Sequence, residues 1–331
     1  MILVTILAVV FAMTIDFIMG DPKNKFHPTA WIGILIGKLV PIAMNNRQKT
    51  ARLSGMLLTI SVATLVAGIL YFINVGLYSL ESDKSDFGLY DLVVTILTIV
   101  IMGILLKTTI AIKGMQHHAQ LIMDALSKNN LDDARAKLSM IVKRDTKNLD
   151  REHIISATLE SISENIVDGI TGPLFYFAIF GLPGAFVYRT INTIDSMIGY
   201  KTEQFRNLGW FGANCDKILN YLPSRMTSLV MIFAAMILGK NWKNSLEIMR
   251  RDSSKTESPN AGYPMATLAG ALGTRFEKID HYVLGDGKME FTENHFKSAI
   301  SIMRLTAILF CIIFTIPMIV ILSYLGWWLH A

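Results

Sequence analysis

Long apolar runs separated by polar blocks set the plan of this chain. Residues 1–19, 53–80 and 92–112 each hold enough apolar side chains to cross a bilayer as a helix, and so does a last run within 299–331 that ends in Trp327 and Trp328, residues suited to anchoring at a membrane interface. The first run lacks the basic start and small-residue cleavage site of a removable signal, so it reads as a retained span. Its Asp16 is a functional suspect, because a carboxylate within a span is costly. Lys107, near the end of the third run, is expected to snorkel to the interface.

Between these runs lies a mainly polar portion, 113–298. Residues 113–168 read as three water-exposed helices: one continues from the preceding span to about Ser127, one starts after Asn130 with Asp132 and Asp133 in its first turn, and one is capped near Asp150. Two shorter apolar segments, 170–187 and 227–239, interrupt this portion. The first is broken by Pro173, Gly181, Pro183 and Gly184, and the second is too short to cross alone, so both are expected to re-enter or to pack against the membrane part. The pattern thus predicts an all-α, polytopic integral membrane protein with a cytoplasmic helical portion and two broken apolar segments. Its domains are an N-terminal membrane portion, 1–112, a mainly cytoplasmic catalytic portion, 113–298, and a C-terminal span in 299–331.

Charge sets the orientation. The loop between the first two spans carries Lys23, Lys25, Lys38, Arg47, Lys49 and Arg52, whereas the next loop, from Glu81 to Asp91, is acidic with a single lysine. Positive loops stay in the cytoplasm, which places the acidic loop and the N-terminus outside and the large polar blocks inside. Composition agrees with a membrane protein that has a substantial aqueous part: 52% of the 331 residues are hydrophobic and 17% charged, with a mean hydropathy of +0.43. The net charge of +5 is modest and the cations are not interleaved with aromatics, which argues against a nucleic-acid partner. Cys215 and Cys311 stand far apart in sequence and suggest neither a disulfide nor a thiolate metal site.

The densest candidate chemistry lies between Arg151 and Tyr200. On a helix, Glu160, Glu164 and Asp168 follow at i, i+4 and i+8 and fall within roughly 80° of one another, while Ile155, Leu159, Ile162 and Ile166 form an apolar face. No lysine separates these acids. Such a row is either a solvated acidic face or a site for a hard cation; Mg²⁺ takes one or two carboxylates and completes its shell with water and nucleotide phosphate. A second polar row follows at Asn192, Asp195, Ser196 and Gly199. Elsewhere, Gly33, Gly37 and Lys38 imitate a phosphate loop, but the spacing is short and Leu39 stands where Ser or Thr is required. Arg225 suits either a phosphate or a helix end at the membrane surface. The loop from Ser258 to Pro264 leads into small residues, ATLAGALG, that permit close helix contact or approach to a ligand.

Taken together, Asp16, Gly20-Asp21-Pro22, His27-Pro28, Arg151-Glu152, Glu164-Asn165 with Asp168-Gly169, Asn192-Thr193 with Asp195 to Tyr200, and Asn260 to Pro264 resemble the CobD/CbiB cobalamin-biosynthesis family. The resemblance covers nearly the whole chain in order. It departs at Asp216-Lys217, where the family commonly has paired aspartates, and at Thr274-Arg275, where Gly-Gly is frequent. It implies a carbon–nitrogen ligase of the adenosylcobinamide-phosphate synthase type, multi-pass in the cell membrane with its active face cytoplasmic. The implied substrates are adenosylcobyric acid and aminopropanol or its O-phosphate, with ATP as cosubstrate and Mg²⁺ as metal; other membrane-associated cobalamin assembly enzymes are implied partners.

Carried onto this sequence, the resemblance assigns Glu160, Glu164, Asp168, Asp195 and Asp216 to metal. Asn165, Gly169, Asn192, Ser196, Arg225, Asn260 and Gly262 go to nucleotide or phosphate, and Asp21, His27, Arg151 and Glu152 to catalysis. Asp21 and His27 would orient the amine or take its proton. These patches are expected to meet in one pocket at the inner leaflet. A transporter is the rival reading, since broken apolar segments also mark substrate paths, and a regulatory membrane protein without synthase activity is another.

Overall fold

The computed structural model describes residues 2–22, 24–44, 50–82, 88–287, 289 and 292–327. The basic Lys23, Arg47 and Lys49, the charged Asp83, Lys84 and Asp86 of the acidic loop, and Trp328 lie outside the described residues. In chain order the helices are α1 (Ile2–Met19), α2 (Pro28–Met44), α3 (Ala51–Ser82), α4 (Leu89–Lys107), α5 (Ile112–Ser127), α6 (Leu131–Leu138), α7 (Arg151–Ile166), α8 (Gly172–Ile198) and α9 (Trp210–Ile237). They continue as α10 (Trp242–Asp252), α11 (Gly262–Leu272), α12 (Glu293–Phe310) and α13 (Ile316–Tyr324). A short antiparallel hairpin of β1 (Phe276–Lys278) and β2 (Tyr282–Leu284) pairs Glu277 with Val283, and π-helical turns at Val167–Thr171 and Cys311–Thr315 precede α8 and α13. The regular structure is otherwise helical among the described residues. Six helical stretches among them are long and apolar enough to cross a membrane by length and composition, as a multi-pass membrane protein requires.

The chain forms two compact units, the first comprising Met1–Ala111, Gly172–Leu219 and Cys311–Ala331, the second Ile112–Thr171 and Asn220–Phe310. In the first unit α1 and α4 pack closely, since a Cβ on Gly103 would lie 2.6 Å from the Phe11 ring. Their outward side chains, such as Leu3, Val10, Ile96 and Ile104, are exposed and apolar, as lipid contact demands. The chain does not run on as one helix from α4 to Ser127. Thr108 and Thr109 turn it, their hydroxyls donating to the carbonyls of Leu105 and Leu106, and α5 starts afresh at Ile112.

Helix α8 is bent back on itself. Gly181 adopts φ 61° and ψ −151°, which glycine alone takes without strain, and Pro183 follows with no N–H to donate. Tyr176 and Tyr188 stack with ring centroids 5.3 Å apart, whereas twelve residues of straight helix span about 18 Å. A Cβ on Gly184 would meet the Tyr176 carbonyl at 2.3 Å, so the two legs touch along their length. The segment 170–187 therefore reverses at Gly181. At the tip, Trp327 Nε1 donates to the Ile179 carbonyl (2.7 Å), so this indole closes a helix break.

The returning leg of α8 packs on α2, where Thr193 and Met197 meet the faces left open by Gly33 and Gly37. Those glycines serve helix contact. Residues 199–209 then lie at the same end of the unit as the start of α3: Arg52 Nε donates to Asn207 Oδ1 (3.2 Å), and Gln204 Nε2 stands 3.8 Å from Met44 Sδ. The segment 227–239 is the C-terminal part of the 28-residue α9, not a short helix of its own. Its apolar run stops at Arg225 because polar residues enter, while the backbone hydrogen bonds continue.

In the second unit, Asn130 caps α6 by accepting from Asp133 N, and Asp150 caps α7 by accepting from His153 N (2.9 Å). The small residues of α11 let α10 approach: a Cβ on Gly270 would lie 2.7 Å from Ser245 Cα, and Ser245 Oγ donates to the Thr267 carbonyl (2.7 Å). The hairpin rests against α7, where Glu277 N donates to Ser156 Oγ (2.8 Å).

Candidate active site

Two buried charge clusters stand out, one in each unit. In the first, α4 delivers Lys107 to the C-terminal end of α1. Lys107 is 3% exposed, Asp16 is 0% exposed, and Nζ lies 3.2 Å from Asp16 Oδ1 and 2.5 Å from Asp21 Oδ1. The snorkelling expected for Lys107 is overturned, because two carboxylates meet it inside. Asp21 keeps 30% of its side chain exposed, and His27 Nε2 stands 3.7 Å from the same Oδ1. Burial opposes ionisation of Asp21, but His27 and Lys107 beside it outweigh that and hold the carboxyl below its ordinary range. Thr29 Oγ1 donates to the Thr108 carbonyl (2.8 Å), fixing the start of α2 to the end of α4 and with it the turn that bears His27.

The second cluster surrounds Glu160 on α7. This carboxylate is 3% exposed and accepts from Arg144 Nη2 (2.6 Å), Tyr282 Oη (2.8 Å) and Ser156 Oγ (2.7 Å). The acid row, which has no lysine within it, is thus answered at Glu160 by a guanidinium from the preceding loop. Burial pushes the Tyr282 phenol well above its ordinary value. The Glu160 charge and hydrogen bond add to this, as does Glu164, and Arg144 partly offsets it, so Tyr282 stays a donor. Glu164 and Asp168, one and two turns beyond Glu160, are half-exposed.

The family described as "CobD/Cbib protein" matches residues 9–322. The chain belongs to the CobD/CbiB family. It is 40% identical over 299 residues to the "Probable cobalamin biosynthesis protein CobD" of Methanothermobacter thermautotrophicus, covering 90% of this chain and 93% of that one. It is 37% identical over 320 residues to the protein of the same description from Thermoplasma volcanium (96% and 99% covered). The "Cobalamin biosynthesis protein CobD" of Leptospira interrogans is 40% identical over 292 residues (86% and 88%). No solved structure matches.

The remaining residues singled out by the CobD/CbiB resemblance are placed as follows. In the first unit, Asn192 bridges Arg189 and Asp216, its Nδ2 lying 3.3 Å from Asp216 Oδ1. Asp195 folds against its own helix end, where a Cβ on Gly199 would lie 2.1 Å from its Oδ1, and Ser196 is exposed. In the second unit, Arg225 is sandwiched between the rings of Tyr221 and Tyr263, 3.6 and 4.3 Å from their centroids, and donates to Asn260 Oδ1 (3.2 Å). Gly262 is buried because a Cβ would meet the Ser253 carbonyl at 2.1 Å, so the loop at α11 is closed by protein contacts. Arg151 donates to the Leu126 carbonyl (2.8 Å) and so ties down the end of α5; Glu152 is exposed. Asn165 Nδ2 donates back to the Ser161 carbonyl (2.9 Å), and Gly169 is buried in the π-helical turn.

No group of three His, Cys, Asp or Glu side chains able to hold a metal ion occurs among the described residues. A cage made wholly of protein ligands is absent there. The donor set on α7 suits an ion that needs only one or two carboxylates, and Glu160, with three donors already on it, is a poor choice for either. Glu164 and Asp168 remain as half-exposed oxygen ligands, so the residues fit Mg²⁺ in company with water and phosphate. Sequence reasoning missed Lys107, Arg144 and Tyr282. For Lys107 a signal existed: an acid and a base in two apolar runs call for each other.

Proposed function

We propose that this protein joins (R)-1-amino-2-propanol, or its O-phosphate, to the f-propionate of adenosylcobyric acid at the expense of ATP, giving adenosylcobinamide or its phosphate. Membership of a cobalamin-biosynthesis family supports the pathway. The observation that carries the chemistry is the acid row of α7, where Glu160 is matched by Arg144 while Glu164 and Asp168 stay half-exposed. A free carboxylate is a poor acyl donor, and phosphorylation converts it into one that an amine attacks. Glu164 and Asp168 would hold Mg²⁺, which neutralises phosphate charge during the transfer. Arg225, which lies against two tyrosine rings and donates to Asn260 Oδ1 and to the Tyr221 and Pro259 carbonyls, would supply a positive charge to an oxyanion of the substrate. Asp21 and His27 serve the amine: the carboxylate orients it and the imidazole takes its proton. Purified protein with Mg²⁺ should consume ATP only when adenosylcobyric acid and the amine are both present. Failure to bind either nucleotide or corrinoid sinks the reading.

The active face is proposed to be cytoplasmic. Residues 199–209 share an end of the first unit with Arg52, at the close of the basic loop, so the reversal at Gly181 brings them back to the positive side. Gln120→Cys, Phe205→Cys and Lys255→Cys should all react with an impermeant thiol reagent only after the membrane is opened. Labelling of any one in intact cells reverses the assignment.

A further inference from the structure

The Lys107 cluster carries one step more, which rests on the synthase reading just given. Two carboxylates, Asp16 and Asp21, share a single ammonium, so with neutral His27 the group has one negative charge in excess. Asp16 is fully buried on α1 and Lys107 nearly so on α4. Of the two carboxylates only Asp21 reaches solvent: its Oδ1 is held by Lys107 while 30% of its side chain is exposed. Burying an ammonium and a carboxylate with no outlet costs several kcal/mol unless the pair is well matched, so an excess carboxylate at the mouth of such a cluster invites a cation.

We propose that Asp16 and Lys107 are a buried counter-charge that keeps Asp21 ionised and in place, making Asp21 the dock for a protonated primary amine, the amino end of the second substrate. Asp21 touches the amine; Lys107 and Asp16 are positioning residues that act through it. The charged and titratable groups facing Asp21 are Asp16 from α1, His27 from the turn before α2 and Lys107 from α4. The proton count is consistent. The docked ammonium first gives up a proton to become a free amine; its nitrogen then attacks an acyl phosphate, the C–N bond forms, the C–O bond to phosphate breaks, and nitrogen has given up two protons in all. One leaves on the departing phosphate as HPO₄²⁻ and the other passes to His27 and solvent.

The test uses the full chain in lipid nanodiscs. Binding of 1-amino-2-propanol is measured calorimetrically from pH 4 to 9 without nucleotide, and KM and kcat for the amine are measured over the same range. Lys107→Met should weaken amine binding about tenfold or more at the acid end of that range, raise KM more than it lowers kcat, and move the acid limb of the binding profile to higher pH, because Asp21 then holds its proton to higher pH. Lys107→Arg should bring the limb back. If Lys107→Met does not fold, the double variant Asp16→Asn/Lys107→Met removes both buried charges and should move the limb the same way. An unmoved limb, or a loss equal at every pH that arginine does not rescue, overturns the dock even if wild-type protein makes the amide. Wild-type protein that binds the amine with these shifts yet makes no amide supports the dock and defeats the synthase reading.

Discussion

In the first unit one ammonium, Lys107, is divided between two carboxylates; in the second one carboxylate, Glu160, is divided among a guanidinium and two hydroxyls. Both arrangements satisfy a charge taken out of water, which is the condition for burying it. They differ in what is left over. The first ends with negative charge in excess and a carboxylate open to solvent, the second with acceptor sites filled and 3% of Glu160 exposed. The lesson is that two acids of equal prominence in sequence can divide into one left open to solvent and one that fixes other side chains. Exposure and partner count decide between them.

The sharpest way to break this contrast is on α7 itself. Glu164→Gln should abolish turnover, by about a thousandfold or more if it carries phosphate-bound metal, while insertion and thermal midpoint stay near wild type. Glu160→Gln should do the reverse in emphasis. It strands Arg144 beside a neutral amide and loosens the hairpin through Tyr282, costing about 3 kcal/mol of stability, with turnover reduced less than in Glu164→Gln. Thermal unfolding beside steady-state rates in one detergent reads both. If Glu160→Gln kills activity with an unchanged midpoint while Glu164→Gln only unfolds, the division of roles is the opposite of the one drawn here.

Much of this was legible in the sequence, and the gaps have physical causes. The spans and the caps at Asn130 and Asp150 follow from apolar periodicity and side-chain donors within three residues, which are local facts. The reversal in α8 was announced by Gly181 and Pro183, because few other residues break a helix. Glu160 could not be sorted from Glu164 in advance, since its partners come from residues 144, 156 and 282 and the last is brought in by a hairpin too short to show as a pattern. Lys107 was misplaced for a related reason. Its position near the end of an apolar run argued for the interface, and nothing local revealed that Asp21 returns to meet it. The length of α9 was hidden by Lys217 and Arg225, which end a hydropathy window without ending a helix.

A smaller effect sharpens the same distinction between matched and open acids. Asp252, at the end of α10, is fully buried and accepts from Arg251 Nε (2.7 Å) and Nη2 (2.8 Å), Lys255 Nζ (2.6 Å) and Gly285 N (2.8 Å), which fastens the turn after β2. Burial opposes its ionisation, but Arg251, Lys255 and the Gly285 amide win and hold the carboxyl well below the usual range. A depressed folded value contributes stability at pH above the unfolded carboxyl's, near 4, and that contribution is lost as pH falls below it. Arg251 and Lys255 are themselves exposed, which screens the pair, so Asp252→Asn should cost only about 1–2 kcal/mol at pH 7. The gap in thermal midpoint between wild type and Asp252→Asn should narrow progressively below about pH 4, as the carboxyl takes up its proton in the unfolded wild-type chain. A gap that stays constant down to pH 3 would mean that packing and the Gly285 contact, not the ionised carboxylate, make Asp252 matter, and the acid would then belong with neither cluster.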